Sequence, residues 1–221
     1  MSIWHQLRKN KGAIMGLVLL VVIIVVALGS PYFFDYETQV IANNIKERMQ
    51  PPSAEHWFGT DDMGRDIFAR VCYGARYSLA VGIIAVMFAL VFGVTLGAAA
   101  GYIGGVFEDV PMRVCDIFSS IPSVLMAIAV VSALGKSTFN LMLAVGIAST
   151  APFVRVARAA VLTIRGEEYI ESARAIGVPE WQIVATHILP NCVSQIIVQA
   201  TLRVGSAIIS AAQLSFLGLG V

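Results

Sequence analysis

Residues 165–190 read RGEEYIESARAIGVPEWQIVATHILP, a polar, helix-patterned island in a sequence whose other long stretches are apolar. Such an island needs a reason outside the membrane, and a partner protein is the natural one. Glu167 and Glu168 fall in the first turn of a short helix, where acids complement the positive end of the macrodipole, and Ile170, Ala173 and Ile176 recur at helical spacing. Gly177 stops that helix, because glycine reaches the left-handed region at no steric cost. Pro179 then presets φ for the first turn of a second helix carrying Trp181, Ile183 and Val184. Pro190 closes the unit. The pattern predicts a compact helix-turn-helix with small Ala173 and Ala175 beside a charged rim, a shape that another backbone can approach closely.

The surroundings of the island set the class. Of the 221 residues 57% are hydrophobic and 13% charged, well above the ~45–50% apolar content of soluble domains, so the chain is a membrane protein, and its apolar segments are read as the spans of an all-α integral membrane fold. A net charge of +1 gives no sign of a nucleic-acid partner, and the only basic cluster is Arg8, Lys9 and Lys11. Cys72, Cys115 and Cys192 are odd in number and lack a C-x-x-C, which indicates neither a disulfide framework nor a metal site. None of His5, His56 and His187 falls inside an apolar segment and no H-E-x-x-H occurs, so an intramembrane enzyme has no support and no catalytic residue is assigned. An ion-coupled secondary transporter would call for paired acids within the spans, but Asp116 sits only at the end of one.

Five spans are expected, at residues 13–28, 78–100, 117–134, 140–161 and 193–217. The first, about 16 residues, is short of the ~17–25 needed, but Gly12 and Gly29 extend it. A signal peptide is the competing reading; four further spans favour a retained anchor. Between the first two spans, residues 31–76 are mixed in charge, with Gly59 and Gly64 as turns and Asp66 with Arg70 as an i, i+4 ion pair. In the second span Ala85, Ala89, Gly93, Gly97 and Gly101 form a stripe of small residues at spacing four, a helix-packing face. Glu108, Asp109 and Arg113 occupy a short loop before the third span, which Pro122 is expected to kink and which must be buried in protein. Gly135-Lys136-Ser137-Thr138 has the ending of a phosphate-binding loop, but Val130 stands where its first glycine belongs and a membrane helix precedes it, so a tight turn is expected instead. Arg155, Arg158 and Arg165 trail from the fourth span, as positive charge does on the cytoplasmic side. In the fifth span Gln195, Gln199 and Arg203 share one face near Ser206 and Ser210. That face either lines a translocation path or packs against neighbouring helices, since an arginine at mid-depth costs about 2.5–3.5 kcal/mol on insertion scales.

Two motifs bring a family into view. The run Glu171, Ser172, Ala173, Arg174, Ala175, Ile176, Gly177, followed further on by His187, Ile188, Leu189 and Pro190, resembles the EAA loop of ABC importer permease subunits, with Ser172 in place of the usual alanine and His187 in place of isoleucine. The run HWFGTDDMGRDIFARVCYGARYSL, starting at His56, resembles a landmark of the branch that imports dipeptides, oligopeptides and nickel. Residues 215–221 resemble that family's LSFLGLG run. The resemblance implies the MetI-like fold of a type I ABC importer permease, second (C-type) branch, with five spans of an expected six and hence a chain shortened at its C-terminus. It implies that residues 1–30 form a cytoplasmic N-terminus and the first helix, 31–76 an extracytoplasmic loop, and 77–221 the core domain with the cytoplasmic loop 165–190. In the family that loop docks on the ATPase, which would place Glu171, Ser172, Ala173, Arg174, Ala175, Gly177, Leu189 and Pro190 at the contact. The implied partners are a second, homologous permease, two ATP-binding subunits that hold the ATP this chain does not, an extracytoplasmic substrate-binding protein and the lipid of a bacterial inner membrane. The implied action is alternating access by rigid-body movement. Arg203 departs from the small or apolar residue usual at its position.

Overall fold

The computed structural model describes residues 10–220; His5, Arg8, Lys9 and Val221 lie outside them. Helix α1 covers Lys11–Phe33, α2 Ile67–Ile103, α3 Val106–Ser120, α4 Ser123–Leu134, α5 Thr138–Arg165, α6 Glu168–Ala175 and α7 Glu180–Ile183. A π-helical turn, Val184–Ile188, joins α7 to α8, Leu189–Phe216. Among the described residues the only extended pairing is an isolated bridge between Thr60 and Asp66. Four rods are long and apolar enough to cross a membrane: α1, α2, α5 and the continuous helix Glu180–Phe216. The pair α3 and α4 makes a fifth only if taken together, and it is bent by 95°.

That bend corrects the third expected span. A proline inside an apolar run predicts a kink; instead the helix stops at Ser120, Ile121 and Pro122 take extended conformations, and α4 starts afresh at Ser123. Pro122 disfavours the helical region for its predecessor, and Ile121 sits at φ −97°, ψ 128°. Glu108, Asp109 and Arg113 accordingly lie in an amphipathic helix and not in a loop.

The chain divides into two compact units, Met1–Ser78 and Leu79–Val221. In the first, α1 continues through Pro31 to Phe33, and only Ala27 and Ser30 of it are buried. The irregular segment after it is organised by two carboxylates. Asp61 accepts from the backbone N–H groups of Met63 and Arg65 and pairs with the Arg65 and Arg70 guanidiniums. Asp66 instead caps α2, accepting from the Ala69 N–H at 2.9 Å, and binds His56 Nδ1 at 2.8 Å. The expected Asp66–Arg70 pair is therefore not formed, because a carboxylate at a helix start is better used as a cap and Asp61 offers Arg70 an already oriented acceptor. Gly59 and Gly64 have φ of +73° and +77°, and a Cβ on either would overlap a backbone oxygen, that of Gln50 or Asn44. Phe34, Trp57 and Phe58 surround Phe68 with ring centroids 4.9–5.8 Å away.

The second unit is a helical bundle. Its main core joins Val81, Ala85 and Ala89 of α2, Ala127 and Val131 of α4, Leu141, Val145 and Phe153 of α5 and Ala207, Ala211 and Leu214 of α8. Along α2 the glycines bring bare backbone against α5. A Cβ on Gly93 would run into that of Phe153, one on Gly97 would lie 2.8 Å from Ala157 Cβ, and one on Gly101 2.8 Å from the Arg158 carbonyl oxygen. Bare backbones gain dispersion contacts there that lipid-facing surfaces cannot match.

Two outcomes follow from this packing and from the loop. Gly97→Ala is expected to lower the stability of the detergent-solubilised chain by about 1–3 kcal/mol, the cost of overpacking. Gly205→Ala, with nothing within 4 Å of its Cβ, serves as the neutral control in the same thermal melts. In the loop, the hydrogen bond to Asp66 raises the His56 pKa above its ordinary value against a weaker opposing effect of burial, with Asp66, Glu47 and Glu55 adding to the rise. Burial opposes the Asp61 carboxylate, but the Arg65 and Met63 backbone N–H groups and the Arg65 side chain prevail and hold it at about 2. A raised folded-state pKa stabilises fully below the unfolded value and is lost as pH rises through the folded one; a lowered carboxylate stabilises above its unfolded value and is lost as pH falls towards the folded one. Limited proteolysis within residues 44–66 should therefore accelerate as pH rises above about 6.5, and separately as it falls below about 4, with Asp66→Asn abolishing the alkaline arm.

Candidate functional site: the helical loop and its platform

Helix α6 ends in a Schellman motif. The Val178 N–H donates to the Ala173 carbonyl at 3.1 Å and the Gly177 N–H to the Arg174 carbonyl at 2.9 Å, with Gly177 at φ +83°. This double closure satisfies the last carbonyls of α6 and fixes the angle at which the chain enters α7 through Pro179. The inward face of the loop is anchored: Ile170, Ile183, Ile188 and Cys192 are fully buried with Ala98, Ala160 and Val161 of the bundle. The outward face carries Glu171, Ser172, Ala175, Ile176 and Trp181, the last two 81% and 72% exposed. These two form a bare apolar pair at the rim of the helical unit.

The structure thus sorts the residues read from the sequence. Glu171, Ser172 and Ala175 face outward, whereas Ala173 is buried and packs beneath the loop, because the stripe that meets the bundle is Ile170 and Ala173 and does not extend to the C-cap residue Ile176. Arg174 is turned sideways. Its Nη2 donates to Tyr102 Oη at 3.3 Å, its guanidinium lies 5.7 Å from the Tyr102 ring centre, and its Nε is 3.2 Å from Glu180. Leu189 packs against the buried cluster, and Pro190 does not close the unit. It occupies the first turn of α8, after a π-turn in which the Leu189 N–H already reaches back to the Val184 carbonyl. The helix therefore runs on through the proline instead of ending there.

Tyr102, which nothing in the sequence singled out, is the hub of the platform. Arg165 also lies over its ring, at 5.9 Å, and donates to the Gly101 carbonyl at 3.4 Å. Of the arginines that trail from the fourth span, the other two engage α3. Arg158 Nε donates to Glu108 at 2.7 Å, and Arg155 Nη2 to Asp116 at 2.8 Å. The signal for Tyr102 was an aromatic ring at a helix end next to glycines, a pattern too common to stand out.

Farther along α8, Arg203 faces a polar recess of about 220 Å³ and an adjoining one of about 50 Å³. Gln195 and Gln199 line neither. Gly93, Gly97 and Gly101 lie at the contact between α2 and α5.

A bundle of long apolar helices that carries one polar helical loop is the build of a polytopic membrane protein. Sequence comparison sharpens this: residues 93–221 match the family model described as binding-protein-dependent transport system inner membrane component, and residues 1–52 match that of the N-terminal TM domain of oligopeptide transport permease C. The chain belongs to the first of these families, the permease subunits of bacterial ABC importers, which are inner-membrane proteins and not enzymes. Such permeases bind no cofactor themselves, ATP being held by their ATPase partners. Relatives include a dipeptide transport system permease of Alkalihalophilus pseudofirmus, 48% identical over 98% of this chain and 71% of the relative. An oligopeptide transport system permease of Bacillus subtilis is 39% identical over 100% and 73%, and a glutathione transport system permease of Pectobacterium atrosepticum 39% identical over 98% and 72%.

Removing the hub tests the platform. Tyr102→Leu keeps apolar bulk but loses both the ring face and the hydroxyl, together worth about 1–1.5 kcal/mol. Amide hydrogen exchange within residues 166–178 should quicken roughly tenfold, while exchange in the middle of α5 stays unchanged.

Proposed function

We propose that this chain is the membrane permease of an ATP-driven peptide importer, working beside a second, homologous permease, two cytoplasmic ATPases and an extracytoplasmic binding protein. The observation that carries the coupling is the outward face of the loop, where Ile176 and Trp181 stand exposed beside Glu171 and Ser172 on a base closed by the Schellman motif and pinned through Tyr102. An ATPase cleft closing on that face would push on α7. The helix from Glu180 to Phe216 is continuous, so the push would reach the middle of the bundle as a rigid-body tilt, the movement alternating access needs. In this arrangement the loop 165–190 and the N-terminus are cytoplasmic and residues 31–76 extracytoplasmic. A peptide is favoured over nickel because the relatives reported above are named for dipeptide, oligopeptide and glutathione transport.

The test exploits Gly177. No atom lies within 4 Å of its missing Cβ, so a substitution there acts through φ alone. Valine at φ +83° is strained by about 1–2 kcal/mol, whereas asparagine tolerates that region. With its partners co-expressed, Gly177→Val should reach the membrane at normal levels but lose ATPase co-purification and peptide uptake at least tenfold, and Gly177→Asn should keep both. Normal ATPase retention and uptake in the valine variant would remove the coupling role of this loop.

A further inference from the structure

Arg203 stands at the middle of α8, the depth at which a cation is most costly in a bilayer. A guanidinium placed there is ordinarily answered by an acid or by backbone carbonyls. Here no hydrogen bond or ion pair engages it among the described residues, and none of the residues lining its two recesses is acidic. The walls supply donors instead. Ser119, Ser123, Ser149 and Ser210 approach from α3, α4, α5 and α8, and none of their hydroxyls has an intramolecular partner among the described residues. Ser206 is the exception, bonded to the Leu202 carbonyl at 3.3 Å.

The break between α3 and α4 opens onto the same space, since Ile121, Pro122 and Ser123 line the larger recess. Irregular backbone at membrane depth persists only where it is buried in protein or lines a water-filled cavity. The first N–H of α4 to find a helical acceptor is that of Met126, bonded to Pro122 O at 3.1 Å. Those of residues 123–125 therefore add a partial positive charge to the one the guanidinium carries. A cavity with one full cation, several free hydroxyl donors and no acid selects an anion, and a planar guanidinium fork selects a carboxylate.

We propose that the Arg203 recess binds a carboxylate of the peptide in transit, either its C-terminal group or an acidic side chain. This rests on the reading of the chain as a peptide importer permease. The site is of moderate strength by design of its exposure: Arg203 is half-buried and not sealed, so that the peptide is held and then released.

The experiment measures ATP-dependent uptake by the transporter reconstituted with its partner subunits and binding protein. Three probes are used: an apolar dipeptide with a free carboxylate, the same peptide as its C-terminal amide, and an amidated dipeptide carrying a glutamate side chain. Because the binding protein is unaltered, its own preferences cancel when each probe is compared between wild type and variant. Arg203→Gln should lower the ratio of maximal rate to KM for the free acid about tenfold or more and for the plain amide less than about twofold, with ATPase co-purification unchanged. The glutamate-bearing amide tells which carboxylate is read: a loss like that of the free acid adds side chains, and none restricts the site to the C-terminus. Arg203→Lys, which keeps the charge and loses the fork, should retain only part of the distinction. Should Arg203→Gln fail to assemble, the double variant Ser149→Ala with Ser210→Ala is measured the same way and should narrow the acid-to-amide ratio about threefold. Equal losses for acid and plain amide, or no loss for either, would overturn the carboxylate site while leaving the importer reading standing. Absence of ATP-dependent uptake of all three probes by the wild type would overturn both.

Discussion

The close approach of α2 to α5 at Gly93, Gly97 and Gly101 is the constraint on which the loop and its platform depend. In lipid there is no hydrophobic force to draw two helices together, so how near they come is set by the side chains between them. Here α2 contributes none, and its bare backbone meets the α5 backbone and the Cβ atoms of Phe153, Ala157 and Val161. At the end of that contact the separation leaves the Gly101 carbonyl within reach of Arg165, and the Tyr102 ring within reach of both Arg165 and Arg174. A methyl group at Gly97 would act on these longer contacts as a spacer placed near their pivot.

The ion pairs at the same end are consequences of this geometry more than causes of it. Arg155 and Asp116 are 47% and 71% exposed, and a pair so open contributes little net stability. Arg158 and Glu108 are better shielded, and their pairing fixes the direction of α3 where it leaves the end of α2 through Gly104 and Gly105, both at positive φ. Orientation of an amphipathic helix, and not energy, is what these charges supply.

Long apolar helices, the glycine stripe and the positive φ at Gly177 are legible in the sequence because each is a local property: hydropathy over a window, small residues at one spacing, glycine before a proline-started helix. What escaped is non-local. Asp61 and Asp66 are equally plausible partners for Arg70 in the sequence, and only the folded loop shows that Asp66 is occupied by the start of α2 and by His56. Ala173 and Ile176 share a spacing, yet one is buried and the other exposed, since the helix ends between them. Pro122 and Pro190 are the same residue with opposite outcomes. At Pro122 the helix breaks; before Pro190 a π-turn has already displaced the bonding pattern and the helix continues.

That second proline matters to how force could travel. The rod from Glu180 to Phe216 has 37 residues, about 55 Å at 1.5 Å per residue, with Trp181 at one end and Arg203 about 33 Å along it. A load at Trp181 need not pass through a relay of side chains to reach Arg203; the helix itself is the connection, the kind of rigid element for which coupling has a physical warrant. Its weak point is the π-turn, and that turn is braced. Thr186 donates to the Gln182 carbonyl at 2.7 Å and Asn191 to the His187 carbonyl at 2.6 Å, while Ile183 and Ile188 on either side are fully buried. Beyond Arg203, Ile208 lies so close to Gly82 that a Cβ there would come within 2.7 Å of it. The rod is therefore held at the loop and again past its midpoint, and Arg203 lies between the two supports.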